Sequence, residues 1–128
     1  MKKYISLVFI SLYFLSSCTS ATGDGLLVLE SSYNNTDTID QSGIVERKYL
    51  VRNKGKAPSN ILNIVSSCGC TTSSENYKRI LKPNDTTHII ITYKPMRNDS
   101  ANVTKAIVIQ NDSKSPLLEI SLSVFVKR

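Results

Sequence analysis

Along most of this chain, apolar and polar residues alternate with a period of two, the pattern of half-buried β-strands. The alternation is cleanest near the C-terminus, where Leu118, Ile120, Leu122, Val124 and Val126 interleave with Glu119, Ser121, Ser123, Phe125 and Lys127. Upstream, Asn102–Gln110 puts Val103, Ile107 and Ile109 on one side, and Thr87–Lys94 does the same with Ile89, Ile91 and Tyr93. Ile90 makes this run almost continuously apolar, as expected of a strand covered on both faces. Ile44–Asn53 sets Val45, Tyr49 and Val51 against Glu46, Lys48 and Arg52. Arg47 spoils that alternation, and Leu50 falls on the polar side. Leu26–Glu30, Ser59–Val65 and Tyr77–Leu81 read as further strands, with a short one suggested at Thr38-Ile39 inside the loop-like Ser31–Gly43.

Turn chemistry separates these runs. Asn53–Pro58 contains Gly55 and Pro58, and Lys82-Pro83-Asn84-Asp85 combines a ring that breaks pairing with residues that tolerate positive φ. Thr71–Asn76, Pro95–Ser100 and Asn111–Ser115 read as loops or turns. No amphipathic helical pattern persists downstream of the leader. About seven strands with a turn every ten residues or so predict an all-β chain folded as an antiparallel β-sandwich.

The N-terminus changes where this sandwich is expected to sit. Met1-Lys2-Lys3-Tyr4 is a basic head, and Ile5–Leu15 is an apolar run too short to span a bilayer. Leu15-Ser16-Ser17-Cys18 follows and looks like a bacterial lipobox. This implies a lipoprotein signal peptide over residues 1–17, diacylglycerol on Cys18 and further acylation such as palmitate. With about 0.8 kcal/mol gained per buried methylene, two or three acyl chains anchor lastingly. Thr19 is not the Asp that resembles an inner-membrane retention signal, so the expected location is the cell envelope, at the outer membrane facing the periplasm. Residues 18–25 read as a flexible tether and 26–128 as one domain.

Charge excludes little beyond nucleic acid. The chain holds 16 Lys and Arg against 10 Asp and Glu; losing Lys2 and Lys3 with the leader lowers its balance from +6 to +4. The basic residues are scattered, apart from Arg52, Lys54 and Lys56, which read as a solvated face or a weak attraction to anionic lipid headgroups. The expected partners are the membrane, through Cys18, and an envelope protein.

Of three cysteines, lipidation of Cys18 leaves Cys68 and Cys70, separated only by Gly69. In an oxidising compartment this pair is a structural disulfide, a thiol-exchange site, or two soft ligands for copper(I) or zinc. Two extended residues span about 7 Å, whereas bridged Cα atoms sit at about 4.4–6.8 Å, so a bridge requires a bend that Gly69 permits. His88, the only histidine, reads as a surface strand residue, and Met96 is a poor additional ligand. No nucleophile elbow, zinc-protease motif, phosphate loop or dinucleotide fingerprint is present, so no catalytic residue and no cofactor is expected. Asp37 and Asp40 read as solvated loop carboxylates rather than an acid–base pair. Asp37-Thr38-Ile39, Asp85-Thr86-Thr87 and Asp99-Ser100-Ala101 look like the acceptor of a bacterial O-glycosylation system, making Thr38, Thr86 and Ser100 candidates.

Several pieces together carry a family resemblance: Asn53-x-Gly55, Ser67-Cys68-Gly69-Cys70-Thr71, Lys82-Pro83 before an Ile-rich strand ending in Tyr93, and Lys105-x-Ile107-x-Ile109 before Asn111. From about Leu26 to Val126 the chain resembles the bacterial domain of unknown function 1573, common in secreted proteins and lipoproteins. It departs from that pattern at Pro83-Asn84, Ser59 and Tyr49. The resemblance implies an immunoglobulin-like sandwich akin to domains of ciliary and centrosomal scaffolds, and no established activity. The expected role is a lipid-anchored binding or scaffolding module without catalysis. The alternative is a thiol-redox or metal-handling protein built on Cys68 and Cys70.

Overall fold

The computed structural model describes residues 24–31 and 36–128. Among these, all regular structure is β, in nine strands: β1 Leu27–Leu29, β2 Asp37–Asp40, β3 Val45–Asn53, β4 Ser59–Ser66, β5 Thr71–Ser73, β6 Ile80–Leu81, β7 Thr86–Tyr93, β8 Ala101–Asn111 and β9 Leu117–Lys127. They form a four-stranded sheet, β1-β3-β7-β5, and a five-stranded sheet, β2-β9-β8-β4-β6. All the pairings are antiparallel except β2 on β9. The result is the expected β-sandwich.

The period-two residues fill the space between the sheets. Val45, Tyr49 and Val51 of β3 and Ile89, Ile91 and Tyr93 of β7 meet Ile107 and Ile109 of β8 and Ile120, Leu122, Val124 and Val126 of β9. All are at least nine-tenths buried, so the alternation is enforced by removal of these side chains from water. Ile90 is only half-buried, so β7 is covered on one face rather than both.

The strand count exceeds the expected seven because the shortest strands have little pattern to read. β5 occupies Thr71–Ser73, where a loop was expected, and Tyr77–Leu81 narrows to the two residues of β6. β2 forms at the suggested Thr38-Ile39 and pairs with the end of β9. Arg47 points inward on β3 and is 6% exposed. Its Nε and Nη2 donate to Asp37 Oδ2 at 2.9 and 2.7 Å, and Nη2 also reaches the Ser123 carbonyl at 3.3 Å. The break in the β3 pattern is thus a charged tie from one sheet to β2 and β9 of the other. A buried guanidinium needs such partners.

Asp24 and Gly25, expected within the tether, are packed onto the sandwich. The Asp24 carbonyl accepts from Lys56 N–H, the Gly25 carbonyl accepts from Lys114 N–H, and Asp24 pairs with Lys114 at 2.9 Å. The expected signal peptide, Cys18 and the start of the expected tether lie outside the described residues.

Candidate functional site: the Cys68–Cys70 corner

β4 ends at Ser66 in one sheet and β5 begins at Thr71 in the other, so Ser67–Cys70 carry the chain across the open side of the sandwich. Backbone bonds hold both ends of this crossover. Ser67 N–H donates to the Ala106 carbonyl at 3.0 Å, and Lys94 N–H donates to the Cys70 carbonyl at 2.9 Å. Within it, Thr71 N–H and the Ser66 hydroxyl both donate to the Cys68 carbonyl.

Cys68 and Cys70 are joined by a disulfide, with their Cα atoms 5.3 Å apart. The required bend is made without positive φ at Gly69, and a Cβ placed there would meet nothing within 4 Å. The bend that Gly69 permits therefore uses no backbone conformation reserved for glycine. The Thr71 side chain, 2% exposed, lies under the bridge. Its Oγ1 is 3.7 Å from Cys68 Sγ and 3.8 Å from Cys70 Sγ. Bonded to each other, the sulfurs offer no thiolate to a metal.

Beside the bridge is an open cleft of about 450 Å³, lined by Ile44, Gly69, Cys70, Lys94, Pro95 and Met96 among others. Ile44 and Met96, 61% and 55% exposed, give the cleft apolar walls open to water. The wall made by residues 95–100 is pinned through Asp99. Its Oδ2 accepts from the Tyr93 hydroxyl at 2.7 Å and from Met96 N–H at 2.9 Å, while Lys105 Nζ lies 3.6 Å from Oδ1 and 5.8 Å from the centre of the Tyr93 ring. The Asp99 carbonyl accepts from Gln41 Nε2. The Met96 N–H holds the Asp99 carboxyl below the usual carboxylate range, and the Tyr93 hydroxyl and Lys105 act with it against burial. Burial pushes the Tyr93 hydroxyl up, and its bond to Asp99 acts in the same direction.

The other sequence candidates are dispersed. His88 is exposed toward the far end of β7 and pairs with Leu50. Met96, by contrast, shares the cleft with Cys70. Among the described residues, no three His, Cys, Asp or Glu side chains gather as a metal site. Asp37 and Asp40 are not loop residues as expected but the two ends of β2, and the Asp37 carboxylate is engaged by Arg47. Thr38 and Thr86 are exposed and Ser100 is half-buried. The aspartate before each has a structural contact of its own: Asp37 with Arg47, Asp85 with Lys78 and Asp99 with Tyr93. Sequence reasoning missed Thr71 and the Tyr93–Asp99–Lys105 group. Lys105 carries a readable signal: it occupies an inward position between Val103 and Ile107, as Arg47 does between Val45 and Tyr49.

A family model described as "Protein of unknown function (DUF1573)" matches residues 27–126. No curated protein matches the chain. Among solved structures, a protein of unknown function from Porphyromonas gingivalis W83 superposes with a TM-score of 0.64 at 16% identity, over 84% of this chain and 50% of that one. This chain thus spans about half of that protein's length. The ASH / PapD-like domain 7 of human CEP192 gives a TM-score of 0.54 at 11% identity, over 82% of this chain and 86% of that domain. The secreted serine protease VesC from Vibrio cholerae gives 0.54 at 14%, over 77% and 23%. At such identities these likenesses describe the fold, a PapD-like and immunoglobulin-like β-sandwich.

Proposed function

Since the chain belongs to the DUF1573 family of proteins of unknown function, we propose that it is a lipid-anchored envelope protein whose sandwich is a noncatalytic binding or scaffolding module. The observation that carries this reading is the exposed apolar cleft beside the Cys68–Cys70 corner, with Ile44 and Met96 turned toward water. Sandwiches of this class offer loops and sheet edges to protein partners, and β5, the edge of its sheet, borders the same corner. Anchoring rests on the leader and on Cys18, with the protein placed at the outer membrane and facing the periplasm.

The test is capture of partners from the native envelope fraction by full-length wild-type protein and by Ile44→Glu and Met96→Glu. Fold is monitored by circular dichroism. Partners held by wild type and lost from both folded variants support the module and its surface. Identical capture by all three rejects the cleft as the surface, and reproducible absence of any partner rejects the module. A folded Cys68→Ser/Cys70→Ser variant is expected to retain its partner. Metabolic labelling with a fatty acid, lost in Cys18→Ser, tests the anchor separately.

A further inference from the structure

The cysteine corner contains features that a purely structural staple does not require. A neutral disulfide needs no hydrogen-bond donor, and burying a hydroxyl without a good partner is unfavourable. Yet the buried Thr71 hydroxyl is directed at both sulfurs, at 3.7 and 3.8 Å. Valine has the same shape and would pack there without a polar atom. Gly69 is equally unexplained by packing, since a side chain would have free space and ordinary φ. Its bare backbone leaves the bridge approachable from the cleft, which Cys70 lines. Lys94 lines the same cleft and supplies a positive charge where an incoming thiolate would arrive.

We propose that, beyond binding its partner, the sandwich exchanges its disulfide once with protein thiols and without turnover at Cys68–Cys70, with Cys70 the sulfur attacked and Thr71 the residue that positions the departing charge. A partner's thiolate attacks Cys70 Sγ, forming a mixed disulfide as the Cys68–Cys70 bond breaks. The bonding electron pair leaves on Cys68 Sγ. Thr71 Oγ1–H, already next to that atom, donates to the new thiolate, which then takes a proton from water. A second thiol on the partner attacks the mixed disulfide and releases Cys70 as a thiol. The partner dithiol is oxidised to a disulfide, and the Cys68–Cys70 pair is reduced by the same two electrons. Thr71 is a positioning residue, because its hydroxyl acts through the sulfur.

The experiment uses the full chain without denaturant and a dithiol probe, dithiothreitol, with intact mass after alkylation as readout. Wild type should open in the folded state. Thr71→Val should slow opening by about tenfold, the order expected when a bond to a charged sulfur is lost. The alkylation pH profile of its reduced form should move to higher pH. Thr71→Ser should restore both. Thr71→Val changes packing as well as removing the hydroxyl, and desolvation alone moves a thiolate's titration. Recovery of both the rate and the pH profile in Thr71→Ser, which restores the hydroxyl without the methyl, is therefore the deciding readout. In Cys68→Ser, glutathione disulfide should load Cys70 faster than it loads Cys68 in Cys70→Ser. A bridge that opens only after unfolding overturns the proposal. So does a folded Thr71→Val whose opening rate and pH profile match wild type. Faster loading of Cys68 overturns the assignment of Cys70.

Discussion

The two ends of the sandwich each carry a short glycine motif, and they use that glycine in opposite ways. At one end, Asn53-x-Gly55 closes β3. The Asn53 side chain is fully buried and saturated: Oδ1 accepts from Leu26 and Gly55 N–H at 3.0 and 2.9 Å, and Nδ2 donates to the Ala57 and Leu81 carbonyls at 2.8 Å each. A Cβ on Gly55 would run into the Asp24 carbonyl, the Leu26 nitrogen and the Gly25 Cα. At the other end, Gly69 faces empty space between two bonded sulfurs, beside a cleft with exposed apolar walls. Packing explains the first motif completely and leaves the second without a structural reason. The comparison separates residues that make the fold from residues free to serve a task.

Gly55→Ala is the strongest test of this contrast. The obstructing atoms are backbone and cannot rotate away, so a loss of about 4 kcal/mol or more in denaturant unfolding is expected, up to failure to fold. Asn53→Ala should follow, at about 3 kcal/mol, because it strands two N–H groups and two carbonyls together. Near-native stability in either variant would remove the Asn53 end as the structural pole of the comparison.

How much of this was legible in the sequence follows from the physics of each part. Long strands with one wet face show their period, so β3, β7, β8 and β9 were readable, and so was the sandwich. β5 and β6 span three and two residues, too few for any period, and are held by their neighbours. The Cys68–Cys70 pair stood out by composition alone. Its surroundings did not, because Thr71, Met96 and Asp99 are brought together only by the crossover between the sheets and the loop after β7. One signal was present and misread: an inward-phased charge. Arg47 and Lys105 both break an apolar series, and both proved to be half of an ion pair that ties separate segments together.

The cysteine end is open, but it is not unsupported, and the Asp99 group tests that distinction. Tyr93→Phe removes the hydroxyl bond to Asp99 and should cost about 1 kcal/mol. Because the Asp99 carboxyl is depressed in the folded protein, its contribution is present above the unfolded carboxylate value of about 4 and is lost as pH falls through the folded value. Urea midpoints at neutral pH and at about pH 3 should therefore differ more for wild type than for Asp99→Asn. Equal differences would mean that the wall of the cleft is not held by this carboxylate.

Gly69→Ala has the smallest expected effect and sharpens the contrast most. With no neighbour within 4 Å and no left-handed φ, the added methyl meets nothing in the folded chain. It reduces the freedom of the unfolded chain, so stability should be unchanged or rise by about 0.5 kcal/mol. Gly69 lines the cleft together with Cys70, so the same methyl narrows the approach, and opening by a protein dithiol should slow relative to opening by dithiothreitol, which needs less room. A loss of stability comparable to that of Gly55→Ala would place both glycines in the same structural class. Unchanged stability with a slower response to the bulky thiol would show that one glycine is kept for the fold and the other for access to the sulfurs.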